Sequence, residues 1–239
     1  MKYEIDNIYC VDAYKAIKDI PDKSIDCIYT DIPYLYVKGG VGHSELGERL
    51  KSRKEELSSI TDGIDNTILY EFIRISKMFN AFIWCSKMQI SQMLNFAISH
   101  KYNYDILVWC KTNPTPATNN IWLPDIEYCI HMREKGLKLN DGYEFKHKYY
   151  LSSLNVNDKD KFIHPCCKPI PFIEQHLLHA TQENDIIFDP FIGSGTTAVA
   201  AKNLNRHYIG FEIEKKWCDI AKNRLDNILA NGQMTMFTM

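Results

Sequence analysis

The chain has 239 residues, 45% of them hydrophobic and 24% charged, with a formal net charge of -2. That length suits one large α/β domain, or one domain carrying an inserted arm, in an ordinary soluble globular protein. The balance excludes a global basic field, so any nucleic-acid contact must rest on local patches. No run reaches the roughly 18 apolar residues that a membrane span needs.

The start, Met1 to Asp6, has no apolar leader and reads as mature protein. From there short apolar runs recur in chain order: Ile8 to Val11, Ile25 to Thr30, Ala81 to Cys85, Ile106 to Cys110, Ile126 to His131, Ile186 to Phe188 and Tyr208 to Phe211. Runs this uniformly apolar fit strands covered on both faces. Helical patterns fall between them, at Asp12 to Asp19, Asn66 to Lys77, Lys87 to His100, Thr196 to Leu204 and Glu214 to Leu229. The last carries Trp217, Ile220, Ala221, Leu225 and Ile228 at helical spacing. Alternating strands and helices predict a doubly wound, mostly parallel α/β sheet.

Two segments break the rhythm. Residues 37–65 open on Gly39-Gly40 and pass through a charged stretch, Glu45 to Glu56, which predicts a mobile loop with a short helix. Lys111 to Ile163 holds Asn113-Pro114-Thr115-Pro116, one strand, and a polar aromatic tract from Tyr143 to Tyr150. Of the eight cysteines, four sit inside apolar runs, where cysteine acts as a small hydrophobe. No CxxC pair occurs, and His164-Pro165-Cys166-Cys167 is read as a non-metal segment, so no metal is expected. Free thiols predict a reducing, cytoplasmic setting.

Near the end, Ile186 to Asp189 reads as a strand and Gly193-Ser194-Gly195-Thr196-Thr197-Ala198 as a turn into a helix, with Glu212 closing the next strand. This G-x-G-x-x-A spacing allows close backbone approach, and the later acid can accept from ribose hydroxyls. A dinucleotide cofactor is one reading. Two features favour S-adenosylmethionine instead. Only two strands follow Asp185, so the sheet must be completed from the N-terminal half in circularly permuted order. The carboxylate of Asp189 in Asp189-Pro190-Phe191 would also repel pyrophosphate, yet it suits an amine and a sulfonium.

Near the start, Asp31-Ile32-Pro33-Tyr34 ends a strand. Alone it reads as a turn. An exocyclic base amine, however, has its lone pair delocalised into the ring. Asp31 could accept one N–H and the carbonyl of Ile32 the other, freeing that pair for attack on a sulfonium methyl. Tyr34 could stack on the base, worth about 1–3 kcal/mol by analogy with aromatic–base stacking, while Pro33 keeps the corner aimed.

Together the two stretches resemble those of amino-methylating DNA methyltransferases, adenine-N6 or cytosine-N4, of the permuted beta class. Asp31 to Tyr34 is similar to the family's Asp-Pro-Pro-Tyr motif, and Asp189 to Thr196 to its cofactor motif. The resemblance implies a seven-stranded methyltransferase fold over residues 1–239, with S-adenosylmethionine held by Asp12, Lys168, Asp189, Pro190, Phe191, Gly193, Ser194, Gly195, Thr196 and Glu212. Within that set it puts Asp12 near the cofactor's adenine, Glu212 on the ribose, and Lys168, in His164-Pro165-Cys166-Cys167-Lys168-Pro169, near the methionine carboxylate. Ile106 to Lys111 resembles the strand before the recognition region, assigned to 112–163, and 164–230 becomes the cofactor half. The strand ending at Asp189 should neighbour the one ending at Asp31, at the carboxyl edge. Double-stranded DNA is the implied partner, with a flipped base, and a homodimer is in keeping with the class.

Ile32 departs from the family pattern: it keeps the carbonyl, adds an N–H, and is expected to loosen the corner. Arg49, Lys51 and Arg53, with Lys54, form one candidate DNA contact, and Lys146 and Lys148, among aromatic residues, a second. A solvated helix face and a partly buried strand are the plainer readings of those two clusters. The leading expectation is adenine-N6 methylation of DNA in a bacterial or phage-infected cell. Cytosine-N4, RNA or a glutamine amide as acceptor, a nicotinamide-dinucleotide oxidoreductase, and a catalytically silent DNA-binding module are the alternatives.

Overall fold

The apolar runs become strands because helices cover both of their faces. The computed structural model describes residues 2–35, 63–114, 122–143, 146–153 and 168–231, with side chains through Asp226. Its strands are β1 (Asn7–Cys10), β2 (Cys27–Asp31), β3 (Asn80–Cys85), β4 (Asn103–Lys111), β5 (Ile126–Arg133), β6 (Tyr149–Ser152), β7 (Ile186–Asp189) and β8 (His207–Glu212). They form one sheet in the order β1-β8-β7-β2-β3-β5-β4-β6. From β1 to β3 every neighbouring pair is parallel. β5 runs antiparallel to both β3 and β4, and β6 is parallel to β4.

The helices are α1 (Ala13–Ala16), continued by a 3-10 turn at Ile17–Asp19, then α2 (Thr67–Ile75), α3 (Ile90–Ser99), α4 (Ile170–Ala180), α5 (Thr196–Asn203) and α6 (Lys215–Asn231). Strand periodicity divides the core in two. Ile28 and Phe188 pack with Phe72, Ile75, Met93 and Ala97 of α2 and α3. Their chain neighbours Cys27, Tyr29 and Ile187 pack with Phe172, Leu177, Val199 and Ala221 of α4, α5 and α6.

Two elements differ from expectation. The sheet has eight strands, not seven: β6 arises from the polar aromatic tract, as a four-residue strand whose residues alternate between exposed and half-buried. Helix α4 carries no amphipathic stripe to read, because Glu174 and His176 are buried beside Phe172, Ile173, Leu177 and Ala180. The seam between the chain's halves falls as expected. β2 pairs with β7 in parallel register, Cys27 opposite Ile187 and Ile28 opposite Phe188.

Candidate active site

Four adjacent parallel strands lead to acids along one edge. Asp31, Asp189 and Glu212 are the last residues of β2, β7 and β8, and Asp12 follows β1. The strand order sets them side by side as Asp12, Glu212, Asp189 and Asp31. This is the carboxyl edge, where open α/β sheets bind ligands. The Thr30 hydroxyl donates to Asp189 Oδ1 at 2.8 Å and ties β2 to β7.

On the cofactor side the turn is closed by its own backbone and by Glu212. Gly193 N–H donates to Glu212 Oε2 at 3.0 Å, and Glu214 N–H to Oε1 at 2.8 Å. Burial nevertheless raises the Glu212 carboxyl above its ordinary range. Gly195 N–H donates to the Ile192 carbonyl at 2.9 Å. Gly195 has φ +82°, and a Cβ there would lie 3.0 Å from that of Ala221, so both conformation and space require glycine. Gly210 of β8 is needed for close approach: a Cβ there would meet Ile192 Cδ1 at 2.3 Å.

Ser194 and Thr196 are buried, and Arg224 of α6 donates to the Ser194 carbonyl at 3.3 Å and to Thr196 Oγ1 at 3.0 Å. Pro190 is buried and Phe191 half-buried. The Phe191 N–H donates to Asp189 Oδ1 at 3.1 Å. Asp189 itself is 3% exposed, and burial pushes its carboxyl up to about 7. Asp12 caps α1, accepting from the Tyr14 N–H at 2.9 Å.

The donor set fits S-adenosylmethionine and not a dinucleotide. The N–H groups of Gly193 and Gly195, which a pyrophosphate would need, are bonded to Glu212 and to the Ile192 carbonyl. The carboxyl oxygens of this row accept from amine and hydroxyl donors and offer a phosphate no donor.

The Asp31 corner is organised by charge. Asp31 Oδ2 is ion-paired with Lys168 Nζ, whereas Asp31 Oδ1 is buried without a hydrogen-bond partner. Burial raises the Asp31 carboxyl, and the Lys168 ammonium opposes that rise. Lys168 is 4% exposed and lies just ahead of Pro169, the N-cap of α4. The resemblance set its ammonium near the methionine carboxylate; it sits on Asp31, and also 3.0 Å from Glu127 Oε2. Glu127 Oε1 pairs with Lys111 at 2.7 Å. Burial disfavours the Glu127 charge, but Lys168 and Lys111 outweigh it and hold the carboxyl at about 2.

The expected looseness at Ile32 is not found. Its N–H donates to the Trp84 carbonyl at 3.2 Å, and its side chain, 1% exposed, joins the core. Beyond it Gln89 straps the corner: Nε2 donates to the Pro33 carbonyl at 2.9 Å, and Oε1 accepts from Leu35 N–H at 3.1 Å. Tyr34 is half-buried, its hydroxyl 3.4 Å from Glu127 Oε2 and its ring centroid 5.3 Å from Lys168 Nζ.

Sequence reasoning missed Glu127, Gln89, Arg224 and the function of Gly210. Two of them left a signal. Glu127 is an acid inside the apolar Ile126 to Ile130 run, and Arg224 is a charge on the apolar stripe of α6. Arg49, Lys51 and Arg53 lie outside the described residues, as do Lys54, His164, Cys166 and Cys167. Lys146 and Lys148 are described, and pair with Asp141 at 3.0 Å and Asp105 at 2.5 Å.

This fold and edge define a permuted amino-methyltransferase. The family model for N6/N4 DNA methylases matches residues 25–223, and the chain belongs to that family of DNA methylases. It is 31% identical to the type II methyltransferase M2.LlaDCHI of Lactococcus lactis subsp. cremoris, over 94% of this chain and 91% of the relative. It is 30% identical to M2.DpnII of Streptococcus pneumoniae, over 90% of this chain and 87% of that one. Among solved structures, the complex of M1.HpyAVI with S-adenosylmethionine matches with a TM-score of 0.69 at 28% identity, covering 92% of this chain and 98% of the other. Family membership overturns the dinucleotide oxidoreductase alternative.

Proposed function

We propose that this protein is a site-specific DNA methyltransferase that methylates the exocyclic N6 of adenine, with Asp31, Ile32, Pro33 and Tyr34 as its catalytic corner. The observation that carries the reading is the buried Asp31 Oδ1, an acceptor with no partner, at the end of the strand beside the cofactor turn. A buried acceptor left unpaired is costly, and an amine N–H would satisfy it.

Bound S-adenosylmethionine supplies an electrophilic sulfonium methyl group. Glu212 and Asp12 are the acceptors for its ribose and adenine, and the turn from Asp189 to Thr196 shapes its berth through the backbone. Asp31 Oδ1 accepts one hydrogen of the target amine and the Ile32 carbonyl the other, so the nitrogen lone pair is released from the ring for in-line attack. The Asp31 carboxylate then takes the proton that the methylated nitrogen sheds. Tyr34 stacks on the base, which must leave the duplex to reach this edge, at a cost of a few kcal/mol. Arg49, Lys51 and Arg53 beyond the corner, and Lys146 and Lys148 near β6, are the DNA contacts of this reading. By the names of its type II relatives, the protein would be the modification partner of a restriction enzyme.

The test is mass spectrometry of nucleosides from DNA of cells expressing the protein. N6-methyladenine that disappears with Asp31→Ala is expected. N4-methylcytosine in its place would move the acceptor to cytosine, and no methylated base at all would overturn the reading. Neutralising Arg49, Lys51 and Arg53 should weaken duplex binding and flatten its salt dependence; unchanged binding removes those residues from the interface.

A further inference from the structure

The Asp31 carboxylate is one end of a four-member charge chain whose other end the reaction above does not use. Lys111 Nζ lies 2.7 Å from Glu127 Oε1, Glu127 Oε2 lies 3.0 Å from Lys168 Nζ, and Lys168 Nζ meets Asp31 Oδ2. The side chains of Lys111, Glu127, Lys168 and Asp31 are 12%, 21%, 4% and 27% exposed. They come from β4, β5, the residue before the cap of α4, and β2.

Stability alone is a poor reason for such an array, because buried ion pairs are often no better than apolar side chains of equal volume. Its geometry has a more specific consequence. The ammonium of Lys168 occupies one carboxylate oxygen of Asp31, and the other oxygen is the one left without a partner. The same Glu127 oxygen that draws on Lys168 lies within reach of the Tyr34 hydroxyl. A single carboxylate on β5 therefore steadies both the cation on Asp31 and the aromatic ring of the corner. Lys111 neutralises the charge that Glu127 brings.

We propose that Glu127 and Lys111 are positioning residues for methyl transfer, which fix the Lys168 ammonium on Asp31 Oδ2 and so turn Oδ1 toward the acceptor amine. This rests on the methyltransferase reading above. It assigns Lys168 to the acceptor rather than to the cofactor, and it gives two strands outside the known motifs a part in the rate. An ion pair that merely held the sheet together would act on folding and on both ligands alike. One that aims Asp31 acts on the transfer step and leaves the cofactor's berth, three strands of the sheet away from β5, unaltered.

The experiment is single-turnover methyl transfer from labelled S-adenosylmethionine to unmethylated plasmid DNA. It compares the wild type with Asp31→Ala, Glu127→Gln, Glu127→Asp, Lys111→Gln and Lys168→Met. Glu127→Gln is expected to lower the rate 10- to 100-fold, with cofactor affinity by calorimetry changed less than twofold and the DNA KM little altered. Glu127→Asp should recover part of the rate, and Lys111→Gln, one step further from Asp31, should cost about threefold to tenfold. The groups facing Asp31 are Lys168, Glu127, Tyr34, Tyr29, Cys85, Cys129 and Asp189, and among these Lys168 carries the positive charge. Lys168→Met should therefore shift the acid limb of the pH–rate profile to higher pH.

An unchanged rate in Glu127→Gln, or a loss of cofactor affinity in step with the rate, overturns the inference. Should Glu127→Gln fail to fold, a full rate in Lys111→Gln with an unmoved acid limb in Lys168→Met does the same. A wild-type protein no more active than Asp31→Ala overturns the methyltransferase reading instead.

Discussion

Asp189 and Asp31 end neighbouring strands, with the same side chain pointing to the same edge, and they are held in opposite ways. Asp189 meets neutral donors, the Thr30 hydroxyl and the Phe191 N–H on Oδ1 and the Thr197 hydroxyl beside them, and is closed off from solvent. Asp31 has a cation on one oxygen and no hydrogen-bond partner on the other, with the Tyr34 hydroxyl close to the carboxyl. The difference runs through the whole site. The glycine turn is closed by hydrogen bonds within the chain, while the Asp31 corner is cross-linked by charge and leaves one buried acceptor without a hydrogen bond. Two carboxylates at equivalent places on neighbouring strands thus differ in the donors they meet.

The sharpest way to break this comparison is at Asp31. Asp31→Ala should lower methyl transfer about 1,000-fold or more and leave cofactor affinity within twofold, as measured by single-turnover kinetics and calorimetry. Retained transfer would make the unpaired oxygen irrelevant to the reaction.

Next in size is Asp189→Asn, read by melting temperature against pH. Burial raises Asp189 to about 7 in the folded protein, above the ordinary carboxylate value of about 3.9. Between roughly pH 4 and 7 the folded chain thus binds more protons than the unfolded one, so this group's contribution to stability is lost as pH rises. The asparagine variant lacks that slope. Its stability should match wild type near pH 4 and exceed it at pH 8 by on the order of a few kcal/mol. An advantage that does not grow with pH would mean that neutral donors already suffice for the charged form.

Gly210→Ala should be smaller. It pushes Ile192 off β8, and an overpacked site of this kind costs about 1–3 kcal/mol, seen here as roughly tenfold weaker cofactor binding. Gln89→Ala removes the strap on Pro33 and Leu35, at about 1 kcal/mol per hydrogen bond, and should slow transfer several-fold without touching cofactor affinity. Lys148→Ala breaks a surface pair with Asp105 and should change stability by less than about 1 kcal/mol in denaturant melts.

Much of the fold and part of the candidate site were legible in the sequence. Apolar runs became strands with ends shifted by a few residues, and the two motifs named the acids of β2, β7 and β8. Legibility failed wherever a contact joined distant segments through side chains. Lys168 and Asp31 are 137 positions apart, and their meeting depends on α4, a helix whose buried glutamate and histidine hid its pattern. Gln89 left no mark in the sequence, because a glutamine at a helix start is ordinary. Ile32 misled for the opposite reason. A missing proline suggests slack, but the extra N–H it provides is taken up by the Trp84 carbonyl and lengthens the bonding between β2 and β3.

The hydrogen bond from Thr30 to Asp189 spans 159 positions and lies on the seam where the two halves of the sheet join. β7, α5 and β8 are close in sequence and can assemble locally, whereas the seam must first close a very long loop. A chain interrupted before Ile186 would carry Asp31 to Tyr34 without the strands that end in Asp189 and Glu212. Competence to modify DNA therefore depends on pairings between distant segments, β2 with β7 and β1 with β8, rather than on either motif alone.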